Sequence, residues 1–117
     1  MIKANEIRIG NYYDHNGDVR KVTPSTIEEV WNAERQWCKP IPLTEEWLIR
    51  FGFEEYISPT DLRIKIASGV LLQLHFGVNQ IECWIGDEIL KTDIVYVHQL
   101  QNLYFALTQA ELTLSNQ

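Results

Sequence analysis

Six residues able to hold a ligand recur at every second position of three short stretches: Arg63 and Lys65, Gln73 and His75, Glu82 and Trp84. A spacing of two is the period of a β-strand, so each pair falls on one face of its strand. Their chemistry is that of binding. A guanidinium and an ammonium can neutralise a phosphate, an amide can read a base edge, and an indole can stack on a base or sugar. The same pattern also describes an ordinary solvated sheet face carrying one amphipathic Trp. An outward indole, however, usually covers something: a ligand, a partner chain or another part of the same chain. The adjacent Tyr12 and Tyr13 supply a further candidate. One ring should face the core and the other solvent; Tyr13 is taken as the ring that edges a pocket, although a cross-strand pair is the commoner use. The expected ligand-binding set is therefore Arg63, Lys65, Gln73, His75, Trp84 and Tyr13.

Catalytic patterns do not arise. The chain has no GxGxxG, P-loop, HExxH or GxSxG. His15, His75 and His98 are scattered, with no carboxylate at metal-ligand spacing. Cys83 and His75 fall on opposite faces by strand parity, which rules out a thiol–imidazole dyad. His98 borders an apolar stripe and reads as a partly buried helix residue. No catalytic residue, metal or cofactor is assigned, and the chain is expected not to be an enzyme.

The elements that must position these residues follow from periodicity. Leu62, Ile64 and Ile66, then Leu72, Leu74 and Phe76, then Ile81, Cys83 and Ile85 alternate with the polar set. With a first strand over 53–57, a short segment at 88–91 and turns at 58–61, 68–69 and 77–80, this predicts an antiparallel meander with one buried face. Upstream, residues 5–13 read as a strand bent at Gly10. Asn16-Gly17 suits a tight hairpin, and 19–22 is the return strand. Residues 25–37 are ambiguous: Ser25 and Glu28 have capping-box spacing, which favours a short helix, while 32–39 would be a loop or short strand.

Two further helices would cover the sheet. The first spans 44–51, with Thr44 as N-cap, Glu45 and Glu46 at the positive end of the dipole, and Gly52 as terminator. Leu43 and Leu48 have hydrophobic-staple spacing. The second spans 93–108, with Val97, Leu100, Leu103, Tyr104 and Leu107 in one stripe. Residues 111–114 could add a last strand. The expected fold is one α+β domain over 1–117: an antiparallel meander of about six strands, covered on one face by two helices, with an N-terminal hairpin.

Composition sets limits on function. The chain has 117 residues, 45% of them apolar, and a net charge of −6. Broad binding to nucleic-acid backbones needs a basic stripe, which this balance disfavours. No apolar run reaches the roughly 18 residues of a membrane helix, and residues 1–6 hold no signal-peptide core. A cytoplasmic protein with reduced Cys38 and Cys83 is expected, with no membrane partner.

Three stretches occur together: Ile7-Arg8-Ile9-Gly10-Asn11-Tyr12, Pro40-Ile41-Pro42-Leu43-Thr44-Glu45-Glu46-Trp47-Leu48, and residues 96–108, Tyr96-Val97-His98-Gln99-Leu100-Gln101-Asn102-Leu103-Tyr104-Phe105-Ala106-Leu107-Thr108. In these the chain resembles a group of small uncharacterised proteins of Bacteroidota and of their phages and prophages. It departs from that group at Gln109, where a glycine is expected. The resemblance carries no catalytic residue over. It implies a mobile-element or phage accessory gene. In that context the expectation is a non-enzymatic protein that binds and sequesters a small nucleotide-derived defence signal of the host, as a homo-oligomer. Two alternatives stay open. One is an acidic inhibitor of a host nucleic-acid-binding enzyme, using Glu28-Glu29, Glu45-Glu46, Glu54-Glu55 and Asp87-Glu88 as phosphate mimics. The other is a minor phage structural protein.

Overall fold

A computed structural model describes residues 7–31, 38–67, 69–78, 80–90 and 94–114. The fold is α+β, with two antiparallel sheets and three helices among the described residues. Strands β1 (Tyr12–His15) and β2 (Asp18–Lys21) form the N-terminal hairpin. Asn16 and Gly17 turn it at φ of 53° and 96°, the left-handed pair that matches the twist of a tight hairpin. Helix α1 (Pro24–Trp31) follows, and β3 (Cys38–Lys39) returns to pair with the free edge of β1. Residues 32–37, part of the ambiguous stretch, lie outside the described residues.

The larger sheet is a meander of β4 (Glu54–Tyr56), β5 (Ser58–Ala67), β6 (Val70–Phe76), β7 (Ile81–Ile85) and β8 (Glu88–Leu90), hydrogen-bonded in chain order. Its inner face is apolar. Leu62 pairs with Leu74, and Leu74 with Cys83, and all three are buried with Leu72. Helices α2 (Glu45–Arg50) and α3 (Val97–Thr108) close that face: Trp47, Leu48, Phe51, Val97 and Leu100 share one core with it. Helix α2 has only six residues and would not persist alone. Its ends are nonetheless well specified. The Thr44 hydroxyl accepts the Trp47 N–H at 3.3 Å. Gly52, at φ 99°, lets the Gly52 and Phe53 N–H groups reach the carbonyls of Ile49 and Leu48.

Four expectations about elements are revised. Residues 7–9 of the first predicted strand, and residues 111–114, form no strand. The third helix begins at Val97, not at 93, because residues 94–96 are extended: Tyr96 bridges Pro42, and the Leu43 N–H donates to the Val95 carbonyl at 2.9 Å. Residues 58–61 are not a turn. The chain reverses through Ile57 alone, at φ 70°, and Ser58 already belongs to β5.

Helix α3 ends on Gln109 at φ 61° and ψ 21°, with its N–H on the Phe105 carbonyl at 2.7 Å. This is the left-handed cap that glycine adopts without a Cβ penalty. Gln109→Gly should therefore stabilise the fold by roughly 1 kcal/mol, part of the relieved strain being offset by glycine's extra unfolded-state freedom. Urea denaturation would show this as a higher midpoint at unchanged slope.

Candidate functional site

The outer face of the meander assembles from register. Arg63 lies opposite Gln73, Gln73 opposite Trp84, and Trp84 opposite Ile89, so these side chains form one row across the strands. One row along, Lys65 lies opposite Leu71. One row the other way, His75 sits between Asp61 and Glu82. Arg63, Lys65, Gln73, His75 and Trp84 are thus on one face, and Trp84 is half-buried there rather than sealed in the core. Helices α2 and α3 pack on the opposite, apolar side.

Tyr13 does not join them. It is buried at 4% exposure, in β1, outside the main sheet. The expectation of one outward tyrosine fails because both rings are buried, although neighbours on a strand point to opposite faces. Tyr12 faces the main core, and Tyr13 is buried on the other side of the strand.

Two cations give the face its character. The Arg63 guanidinium lies 3.8 Å from the centre of the Tyr56 ring. A guanidinium stacked this way keeps its in-plane N–H groups free for an anion. Neither Arg63 nor Lys65 forms an ion pair with any described carboxylate, although Glu54 stands opposite Arg63 in register. Both cations line an open cleft of about 410 Å³, together with Gly52, Glu54, Ile64 and Leu71. Gln73, His75 and Trp84 lie outside this cleft, further along the same face.

The opposite end of the face is built by a bulge. Between Glu55 and Tyr56 the β4–β5 register jumps, so Leu62 and Ser58 pair with adjacent residues of β4 and residues 59–61 face no partner there. The bulge accommodates Pro59, which has no N–H to give. It also places Ser58 beside Asp61. The Asp61 carboxylate accepts from His75 Nδ1 at 2.6 Å and from Ser58 Oγ at 3.0 Å. Burial pushes the Asp61 carboxyl up, but hydrogen bonds from His75, Ser58 and Gln73, joined by the imidazolium charge whenever His75 is protonated, outweigh it, leaving it below its ordinary 3.8. Asp61 is the site residue that sequence reasoning missed: Ser-Pro-Thr-Asp reads as a turn, whereas here it is a bulged strand.

The cluster lacks the geometry for acyl transfer. Ser58 donates to the carboxylate and not to the imidazole, so the serine–histidine hydrogen bond of an acyl-transfer triad is not made. On the inner face, burial raises the Cys83 thiol to about 11, which keeps it protonated and inert at neutral pH. No group of three His, Cys, Asp or Glu among the described residues is placed to hold a metal ion, and no described helix is long and apolar enough to cross a membrane.

A second polar cluster joins the ends of the chain. Arg8 donates from Nε to Asn102 Oδ1 at 2.9 Å and from Nη2 to the Gln101 carbonyl at 3.2 Å. It also forks onto the Glu111 carboxylate at 2.6 and 3.2 Å and lies 4.3 Å from the Phe105 ring centre. Asn11 Nδ2 donates to the same Asn102 oxygen at 3.0 Å. The Gln101 side chain, fully buried, accepts the Tyr12 N–H at 2.8 Å and donates to the Gly10 carbonyl at 3.2 Å. The Val97 N–H meets the Ile41 carbonyl at 2.8 Å. Residues 8–12 and Ile41 therefore both meet the N-terminal half of α3, the first through side chains and the second through the backbone. His98, expected to be partly buried, is 1% exposed.

Compared with known proteins, the chain matches no family model, no curated protein and no solved structure.

Proposed function

We propose that this is a non-enzymatic binding protein whose uncovered sheet face takes a small nucleotide-type ligand. One observation carries the reading: in a chain of net charge −6, two cations that form no ion pair with a described carboxylate share a face with a half-buried indole, which lies in the Arg63–Gln73 row. Phosphate would sit against Arg63 and Lys65, and the base or sugar against Trp84. The resemblance to phage and prophage proteins of Bacteroidota extends the proposal to a cytoplasmic accessory role, the sequestration of a nucleotide-derived defence signal. The face of one chain is open, so retention of a ligand would need a cover, and a second copy is the cover this reading expects. The acidic-inhibitor alternative is less favoured by the geometry: Glu54-Glu55 and Asp87-Glu88 lie at opposite edges of the sheet and make no continuous stripe.

Calorimetric titration with nucleoside monophosphates and with cyclic di- and trinucleotides tests the proposal. Binding should weaken at least tenfold in Arg63→Ala/Lys65→Ala, since two charge-assisted contacts are lost. Ligand recovered unchanged after denaturation supports sequestration. Absence of binding to every one of these nucleotides would remove the reading.

A further inference from the structure

The outer face is polarised along its strands. Lys65 lies at one end, Arg63 and Trp84 in the middle with Glu54 at the edge of their row, and Asp61, His75 and Glu82 at the other end, with successive rows roughly 7 Å apart. A nucleotide on this face is oriented by charge. Its phosphate is drawn to the Lys65 end and repelled by the carboxylates of Asp61 and Glu82. The base edge then comes to His75.

His75 meets that edge in one defined form. A carboxylate can only accept, so the hydrogen bond of 2.6 Å from Nδ1 to Asp61 fixes the ring proton on Nδ1. In the neutral ring, Nε2 is left as an acceptor. The Asp61 carboxylate is held in turn by Ser58 across the bulge, which fixes the orientation of the ring. His75 is half-buried, with 38% of its side chain exposed, so the edge it offers is open to a ligand.

We infer that His75 selects for nucleobases that present an amino group, with Asp61 as the positioning residue that holds the accepting tautomer. The inference rests on the ligand reading above and goes beyond it by naming what the base must carry. A base without a donor at that position would leave Nε2 facing it unpaired.

The test compares adenosine 5′-monophosphate with purine riboside 5′-monophosphate, which lacks only the 6-amino group. The protein should bind the amino-bearing nucleotide roughly tenfold more tightly. His75→Leu should bring that ratio to about one, with affinity for the purine riboside nucleotide kept, since the phosphate contacts are elsewhere. Asp61→Leu should lower the ratio by freeing the ring to change tautomer. In the unliganded wild-type protein, ¹⁵N shifts should show His75 protonated at Nδ1 and bare at Nε2, a readout that needs no variant to fold. Equal affinity for the two nucleotides, or an Nε2-protonated ring, overturns the inference and leaves the binding face standing. Failure of both nucleotides to bind overturns this inference, and failure of the cyclic nucleotides as well removes the binding face itself.

Discussion

Replacing Gln101 with Met should destabilise the protein by about 3 kcal/mol, a loss of roughly 10 °C in thermal midpoint. The side chains are similar in volume, so the change tests hydrogen bonding more than packing. Gln101 is fully buried in α3, and its amide serves two backbone groups of the N-terminal segment, the Tyr12 N–H and the Gly10 carbonyl. Those groups lie at the start of β1, short of Asp14 and His15, where β3 pairs with it. With Met in place, the Tyr12 N–H would be buried without a partner and the half-buried Gly10 carbonyl would lose its own, at about 1–3 kcal/mol apiece. The neighbouring Arg8 links would not compensate, because they end on Asn102, Glu111 and the Gln101 carbonyl and not on those two groups. A loss below about 1 kcal/mol in urea denaturation would mean that the N-terminal segment is held by its apolar contacts alone.

That network also marks where reading the sequence stops working. Strand parity in the meander was legible because period-two alternation is local, and the register then places Leu62, Leu74 and Cys83 on one side and Arg63, Gln73 and Trp84 on the other. The caps of α2 were legible for the same reason, since Thr44 and Gly52 act within one turn of themselves. Gln101 and Asn102 were not. In a helical pattern they look like flank residues, and their partners lie about ninety positions away, in the N-terminal segment. Tyr13 misled because alternation assumes one wet face, whereas both Tyr12 and Tyr13 are buried. Asp61 was hidden by Pro59: a proline near Ser and Asp signals a turn, and only the β4–β5 register shift shows that a bulge can hold the same residues within a strand. The candidate site was therefore half legible. Its membership came from alternation. Its internal hydrogen bonding came from an irregularity that no period encodes.

The bulge begins at a strained residue, and removing that strain should make the protein more stable. Ile57 stands alone between β4 and β5 at φ 70°, a conformation that β-branched side chains strongly disfavour. The left-handed region costs an L-residue roughly 1–2 kcal/mol, and the Ile57 side chain recovers little of it through burial, being 87% exposed. Ile57→Gly should therefore stabilise by about 1 kcal/mol, after the 0.5–1 kcal/mol that glycine loses through its freer unfolded chain. For a chain of this length that is a rise of about 4 °C in thermal midpoint. Ile57→Val, which keeps the branch, should leave the midpoint where it is. The tight reversal also has a positional effect. It sets Tyr56 beneath the Arg63 guanidinium and Ser58 beside Asp61, so the strained residue lies between two supports of the candidate site. Glycine can adopt the same backbone without strain, and nucleotide affinity should be unchanged in the stabilised variant. A lower midpoint for Ile57→Gly would show instead that the exposed isoleucine makes a contact the fold depends on.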